Sequence, residues 1–458
     1  MAHNNDVLII GAGLTGLVLA HRLRKLGRNV QILEKSSRPG GVIETGSYNG
    51  FVFEKGPNTG VVKYGEVAEL FEELSDYCKL EIPDDAVKKR YIWKKDRWHQ
   101  LPSGLISGIK TPLFTWKDKF RILGEPFRKP GKDPEETLDR LVKRRMGKSF
   151  LHYAVDPFIL GVYAGDPARI VPKYALPKLY NLEQDYGSFI GGSIKKRSEE
   201  KDEMEKKATK DVFSVEGGLE NLVTALTKSV GEEHILCNSE NISVKPSDNT
   251  YETTYQRQGE TYKINSNHVI STIGSYELPS VFPFLDKKTL ESIDNLRYAK
   301  VLQAAIGFKD WQGVPLDGFG GLVPFIENRD ILGALFMSSF LKNRAPEGGA
   351  LLSVFMGGIR REEMYFKDNK EIEQILEREI RTMFGLKDFN PEMLTIMRYE
   401  HAIPQYGAES KERFQTIEEI ENQYKGLKII GNLRDGIGMA DRIKQACDVA
   451  KKLELEKF

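Results

Sequence analysis

Apolar residues run through this chain in two rhythms. Val7-Leu8-Ile9-Ile10 is an unbroken apolar stretch, as a strand buried on both faces requires. It passes through GAGLTG into LVLAHRLRKLG, where apolar positions recur at helical spacing up to a terminal Gly27. NVQILEK is a second short apolar run, so residues 6–35 read as strand, glycine turn, helix, strand. The far end repeats this grammar: GLKIIGNLRDGIGMADRIKQACDVAKKL predicts a strand, a glycine loop and a long helix.

Between these poles the texture changes several times. Residues 36–60 are glycine-rich and predict short strands and turns, and 64–80 predict a helix. RYIWKKDRWHQLP predicts a hairpin, and the mixed apolar and basic stretch after it predicts helical segments to about Tyr180. Ile194 to Asp211 is a charge run, read as a solvated helix or linker. FSVEGGLENLVTALTKSV brings a glycine turn and a helix, and the alternation in residues 241–274 predicts a strand meander that closes on a buried strand. Residues 295–400 predict strands and glycine turns with one helix at about Lys370 to Phe384. The elements add up to an α/β chain, α+β overall: a Rossmann-like FAD/NAD(P)-binding domain, a mixed-sheet domain and a helical insertion.

Bulk properties narrow the classes. A chain of 458 residues predicts two or three domains. A formal net charge of +1 gives no reason to expect nucleic acid. Cys78, Cys237 and Cys447 form no CxxC and the seven histidines no ligand pair, so neither a metal site nor a disulfide framework is expected. The N-terminus runs almost at once into the first strand, and no secretory leader is expected. The longest apolar run, Ile331 to Leu341, would rise roughly 16 Å as a helix, about half a bilayer core. The chain is expected to lie on a membrane at most.

In GAGLTG, Gly11 permits the tight turn, Gly13 lets the backbone approach a pyrophosphate, and Gly16 lets helix pack on strand. Leu14 and Thr15 open that helix, whose N–H groups and dipole face the phosphates. Glu34 ends the second strand 18 residues after Gly16, where an acid accepts hydrogen bonds from an adenosine ribose and disfavours a 2′-phosphate; Lys35 adjoins it. FAD and NAD share this much. A second pair, Gly40-Gly41, lies just past the ribose acid, and Gly56-Pro57-Asn58-Thr59 is a turn by composition. Far away, Gly431 closes a strand, and Gly436-Ile437-Gly438-Met439 starts a helix whose dipole suits negative charge on a reduced flavin.

The stretch around Gly40 resembles the R-x-G-G-R-x-x-T element of amine-oxidase-like flavoproteins. Arg38, Gly40, Gly41 and Thr45 match, and Val42 replaces the second Arg. AVDPFILGVYAGDPARIVPKYALPKLY resembles the P-F-x-x-G-x-Y-A-G-D-P signature of protoporphyrinogen oxidases. FSVEGGLENLVTAL, the segment from LVPFIEN to VFMGG, and HAIPQY with the closing segment resemble further elements of that family. The matches run from end to end. The chain is similar to the oxygen-dependent, FAD-containing type of haem biosynthesis, some relatives of which act on coproporphyrinogen III.

The resemblance implies an FAD domain from 1–80, 211–270 and 405–458, a pocket-closing, membrane-associating insertion at 85–200, and a substrate domain at 271–404. It adds Val244 to the FAD residues above. It implies a porphyrinogen pocket with Gly161, Gly165, Leu322 and Phe355, Gly165 allowing close backbone approach. No protein acid or base is required, because flavin N5 takes the hydride; His401 reads as a structural or capping residue. Protoporphyrinogen IX is the expected substrate and O2 the acceptor. Coproporphyrinogen III, another flavin oxidase reaction on amines or carotenoids, and a non-catalytic escort role on the same fold stay as alternatives. Leu105, Ile106, Leu113, Phe114 and Trp116 are expected at a membrane interface with Lys110, Lys117 and Lys119 at headgroups, or else packed inside the insertion. A cytoplasmic location on the inner face of the cell membrane belongs to the same expectation, and a homodimer is one partner it admits. Two departures stand out. Ile106 occupies the place where family members often have an Arg for a substrate propionate, and GAES follows PQY where some members continue toward Gly-His.

Overall fold

Two seven-stranded sheets organise the protein, a computed structural model of which describes residues 3–84 and 87–455. Positions 1–2, 85–86 and 456–458, at the edges of the expected domains, lie outside the described residues, as does the side chain of Leu105.

In the first sheet the order is Ile235–Leu236, Val30–Leu33, His3–Ile10, Glu260–Ser271, Thr250–Arg257, Glu240–Ser247, and Leu427–Ile429 also pairs with Glu260–Ser271. His3–Ile10 has parallel neighbours on both sides. From Val7 to Ile10 its side chains therefore alternate between two buried faces. Val7 and Ile9 join a core with the first helix, Leu14–Lys25, the Glu220–Val230 helix and the last helix, Met439–Leu455. Leu8 and Ile10 join a second core with Leu278, Phe282, Leu290 and Ile293. Residues 275–296 thus pack on the first sheet, which moves the expected substrate domain's start from 271 to about Tyr298. The physical reason is coverage: the sheet's second face needs helices, and Leu278–Val281 and Lys287–Asp294 supply them.

The second sheet runs Met393–Pro404, Tyr298–Phe308, Ala350–Gly357, Gly333–Leu335, Gly320–Leu322, Arg90–Lys94, Arg97–Gln100. The hairpin at 90–100 forms, and it belongs here: Arg90–Ile92 pairs in parallel with Gly320–Leu322. The expected insertion at 85–200 therefore begins past Gln100. Trp93 and its neighbours need the sheet's core, and Trp93 is buried there with Leu302, Phe336 and Phe384. Along Tyr298–Phe308, Leu302, Ala304, Ile306 and Phe308 face the Asn369–Phe384 helix. Val301, Gln303 and Ala305 point the other way, toward the first sheet's loops and the Asp156–Tyr163 helix.

The insertion is a set of short helices around a buried ionic network. The Arg145 guanidinium, fully buried, meets Glu183 at 2.7 Å and Glu125. Glu125 also accepts from the Ser188 hydroxyl and the Phe189 and Ile190 N–H groups. Leu113 and Phe114 are buried against Ile92, so of the two places expected for them they take the packed one and not the interface. Its exposed apolar side chains include a run at Ile106, Ile109, Trp116, Phe120, Leu123 and Phe127, the last 90% exposed. Among the described residues no helix is long and apolar enough to cross a membrane.

Candidate cofactor and substrate site

Three glycines of the first loop have three different surroundings. Gly11 has φ +101°, and a Cβ there would lie 2.8 Å from the Thr272 hydroxyl. A Cβ on Gly16 would lie 2.0 Å from the Gly11 carbonyl oxygen, so Gly16 serves packing. A Cβ on Gly13 would meet nothing within 4 Å: that face is open. The second glycine pair runs alongside. Gly40 N–H donates to the Ala12 carbonyl at 2.8 Å, and Gly40 bridges to Gly13. The buried Glu34 carboxylate accepts from Ala12 N–H at 2.7 Å and from Ser36 N–H at 2.8 Å. Each oxygen retains acceptor capacity for a ribose hydroxyl. Leu14 and Thr15 are buried in the first turn, which leaves their backbone N–H groups as the contribution toward phosphate. A dinucleotide fits these residues.

Two expected cofactor residues have side chains engaged elsewhere. Lys35 is exposed and pairs with Glu277 at 3.1 Å. Val244 is fully buried with Leu8, Ile10 and Leu33, because its strand turns that side chain into the second core. The segment flanking Glu34 is 236–239: Glu34 N–H donates to the Leu236 carbonyl at 3.0 Å and Ser239 N–H to the Glu34 carbonyl at 2.9 Å.

The C-terminal glycine loop emerges beside the first one. The Thr272 hydroxyl lies 3.0 Å from the carbonyls of Ile10 and Gly11. A Cβ on Gly431, φ +110°, would come 3.0 Å from the Thr272 carbonyl oxygen. Both loops thus leave the C-terminal ends of parallel strands that each pair with Glu260–Ser271, where open α/β sheets bind ligands. Gly438 N–H donates to Asp441 at 3.1 Å, and Asp441 also accepts from Lys63 at 2.7 Å and from the Tyr64 hydroxyl at 3.0 Å. Ile437 packs partly against the insertion's core, and Met439 is buried in the first core. The Gly56–Thr59 turn is braced from the second sheet. Asn58 is buried, and the Gln303 amide donates to the Glu54 carbonyl at 2.9 Å, 3.5 Å from the Asn58 oxygen. Gly56 itself is demanded by packing: a Cβ would lie 2.0 Å from the Val42 carbonyl oxygen.

The expected pocket residues divide. Leu322, Gly333, Phe355, Gln303 and Met397 stand opposite one another across the second sheet, so their side chains share the face turned toward the first sheet's loops. Gly161, on the helix that covers one end of this face, touches Leu322: a Cβ there would lie 2.4 Å from the Leu322 methyl. Gly165 departs from expectation. The space its side chain would need is taken by the Gln405 amide oxygen, 2.6 Å away, so its backbone approaches the protein's own Gln405. The neighbouring Ala164 takes the left-handed conformation, φ +46°, and its carbonyl accepts from Ile359 N–H at 2.8 Å. Tyr399, opposite Val301, has its pKa pushed up to about 12, by burial first and then by the nearby Glu44 charge. His401 stacks on Tyr276 with ring centroids 3.9 Å apart. Gln303, Tyr399, Thr272 and Asp441 carry no motif of their own, and only the folded register brings them to the site.

The family described as flavin containing amine oxidoreductase matches residues 14–441. The chain is 28% identical over 473 residues to protoporphyrinogen oxidase 2, chloroplastic/mitochondrial, of Arabidopsis thaliana, covering 97% of this chain and 92% of that protein. It is 23% identical over 461 residues to coproporphyrinogen III oxidase of Bacillus subtilis (strain 168), covering 96% of each. A crystal structure from Exiguobacterium sp. 255-15, provisionally named a protoporphyrinogen oxidase, matches with a TM-score of 0.81 at 21% identity over 100% of both chains. At that identity the likeness shows the fold.

Proposed function

From the premise that this chain belongs to the flavin-containing amine oxidoreductase family, with FAD as its cofactor, we propose that it oxidises protoporphyrinogen IX to protoporphyrin IX with O2 as acceptor. The observation that carries this reading is the near-complete length of the match to a protoporphyrinogen oxidase, on both chains. Bound FAD supplies a two-electron acceptor at N5 that O2 reoxidises, so six electrons and six protons leave the macrocycle in three rounds with three H2O2 formed.

The protein's part is to hold, orient and dry the site. Gly13 and Glu34 hold the pyrophosphate and ribose, and the 431–438 loop with the last helix holds the pyrimidine edge. Leu322, Phe355 and Val301 offer an apolar face to a flat macrocycle and exclude water. The Tyr399 phenol, protonated at neutral pH as a tyrosine ordinarily is and held so more firmly by burial, serves as a hydrogen-bond donor and not as a base. The exposed band Ile106, Ile109, Trp116, Phe120, Leu123 and Phe127, with Lys110, Lys117 and Lys119 nearby, is the face proposed to rest on a membrane. Coproporphyrinogen III is the second reading, favoured by the match to the Bacillus subtilis enzyme along 96% of each chain.

The test compares turnover of the two porphyrinogens in air by porphyrin fluorescence and O2 uptake. Faster turnover of protoporphyrinogen supports the proposal. A marked preference for the four-propionate substrate overturns the substrate, and a colourless inactive protein overturns the flavin oxidase.

A further inference from the structure

Of the four buried arginines among the described residues, two face a carboxylate. Arg145 meets Glu183 at 2.7 Å, and Arg344 meets Glu54 at 3.1 Å. Arg413 and Arg442 do not. They are 0% and 7% exposed, and among the described residues neither has a carboxylate within 4.0 Å. Three of their five hydrogen bonds go to one short loop, and of the other two one runs from Arg413 Nη2 to the Ser410 hydroxyl at 2.9 Å. Arg413 Nε donates to the Leu433 carbonyl at 3.0 Å. Arg442 Nη2 donates to the carbonyls of Arg434 at 2.9 Å and Gly436 at 2.8 Å, and Nη1 to the Gln445 amide oxygen at 2.7 Å. The Tyr406 hydroxyl, beneath the same loop, donates to the Asn432 carbonyl at 2.7 Å. Arg413 Nη1 and Arg442 Nε are buried without partners.

The nearby acids are engaged elsewhere. Asp441 takes Lys63 at 2.7 Å, Glu421 takes Lys428 at 3.3 Å, and Asp435 takes Arg434 at 3.3 Å. Glu409 accepts from Gly407 N–H at 3.1 Å and is exposed to solvent, which screens it. Gathering four carbonyls on the inner side also has a geometric effect. A peptide N–H lies opposite its C=O, so the N–H groups of Leu433, Arg434, Asp435 and Ile437 turn away from the guanidinium groups; that of Arg434 is taken by the Gly431 carbonyl at 3.4 Å, which leaves those of Leu433, Asp435 and Ile437 facing outward.

Burying a guanidinium without a counter-charge is costly, and packing alone does not require it. We propose that Arg413 and Arg442 are positioning residues for the flavin. They aim the 431–438 loop's N–H groups outward and place fixed positive charge behind it, favouring the negative charge that collects at N1 and C2 on reduction. This adds to the last helix's dipole and rests on the flavin reading given above.

The test uses the FAD-loaded protein, with two readouts: the two-electron midpoint potential, and the Kd for sulfite, which adds to N5 and leaves its negative charge over N1 and C2. Arg442→Met is expected to weaken sulfite binding at least tenfold. It should lower the potential by about 30 mV for each tenfold shift in the reduction equilibrium. Arg413→Met should act in the same direction. Arg442→Lys, which keeps the charge and loses the fork, should retain most of the potential while melting earlier. Should Arg442→Met fail to fold, Gln445→Glu sets a carboxylate against the intact guanidinium and should lower the potential likewise. Variants that melt earlier with unchanged potential and sulfite affinity overturn the proposal, as does a lysine variant that behaves like methionine. A protein that purifies without flavin overturns the flavin reading itself, a result distinguishable from these.

Discussion

Arg145 and Arg442 are both buried, and their surroundings differ in one respect. Arg145 closes on two carboxylates, one of which also caps the N-terminus of the Phe189–Arg197 helix. Arg442 closes on carbonyls and an amide. The first network is satisfied within the protein. It ties the 125–128 turn, the Leu138–Arg145 helix and the Pro177–Tyr186 helix into one body. The second keeps a net charge beside the loop that receives the cofactor. The backbone repeats the contrast: the space beyond Gly16 is filled by the Gly11 carbonyl, and the space beyond Gly13 is open.

The hardest way to break this comparison is Arg145→Met, which strands Glu125 and Glu183 in the interior. The expected loss is about 3–5 kcal/mol in urea unfolding. Arg442→Met strands only neutral acceptors and should cost about 1–3 kcal/mol in the same assay. Equal costs would erase the distinction. Next come the glycines. Gly16→Ala sets a methyl 2.0 Å from the Gly11 carbonyl oxygen and should lower the melting temperature of the flavin-free protein along with FAD binding. Gly13→Ala should leave that melting temperature in place and weaken FAD binding about tenfold or more, read by flavin release on dilution.

A third buried basic group sharpens the rule from the other side. His21 lies 2.7 Å from the Ser229 hydroxyl and 2.8 Å from Glu73. Burial holds its pKa below the ordinary value, with Glu73 pulling the other way. A folded-state pKa depressed below the unfolded value of about 6.5 means full stability above that pH. The contribution is then lost as pH falls from there through the folded pKa. His21→Gln should flatten that acid limb in a pH series of melts, and an unchanged limb would count against it. The smallest effect on folding is expected at the exposed apolar band. Phe120→Ser with Phe127→Ser should change stability by about 0.5 kcal/mol or less, yet reduce co-sedimentation with phosphatidylglycerol vesicles. Undiminished binding would remove the membrane role from this face.

The two ends of the chain were readable because their signals are local. A strand, a glycine turn and a helix sit within residues 6–26, and Glu34 ends the next strand. What escaped was long-range. Nothing in residues 275–296 says which sheet they cover, and nothing in 90–100 says that the hairpin extends a sheet built from residues 298–404. The second glycine of GVYAG looked like room for a substrate, and Gln405, some 240 positions later, fills that room. Gln303 and Tyr399 reach the cleft through strand register, which a single chain's pattern does not encode. Val244 shows the same limit: a strand pattern marks an apolar residue without saying which way it turns, and here its side chain joins the core.

The register of the first sheet also sets a timetable. His3–Ile10 finds one parallel partner at Val30–Leu33 and the other only at Ile264–Ser271. A ribosome adding about 5–20 residues per second needs on the order of 10–50 s to produce that second partner. Leu427–Ile429 and the Met439–Leu455 helix come later still. Through that interval the nascent chain carries a one-sided apolar strand whose nucleotide loop has formed and whose flavin-end loop has not yet been made. Both poles of the FAD site are therefore present together only once residues 427–455 have been made, and until the second partner arrives the open edge of residues 3–10 is the segment a chaperone would shield.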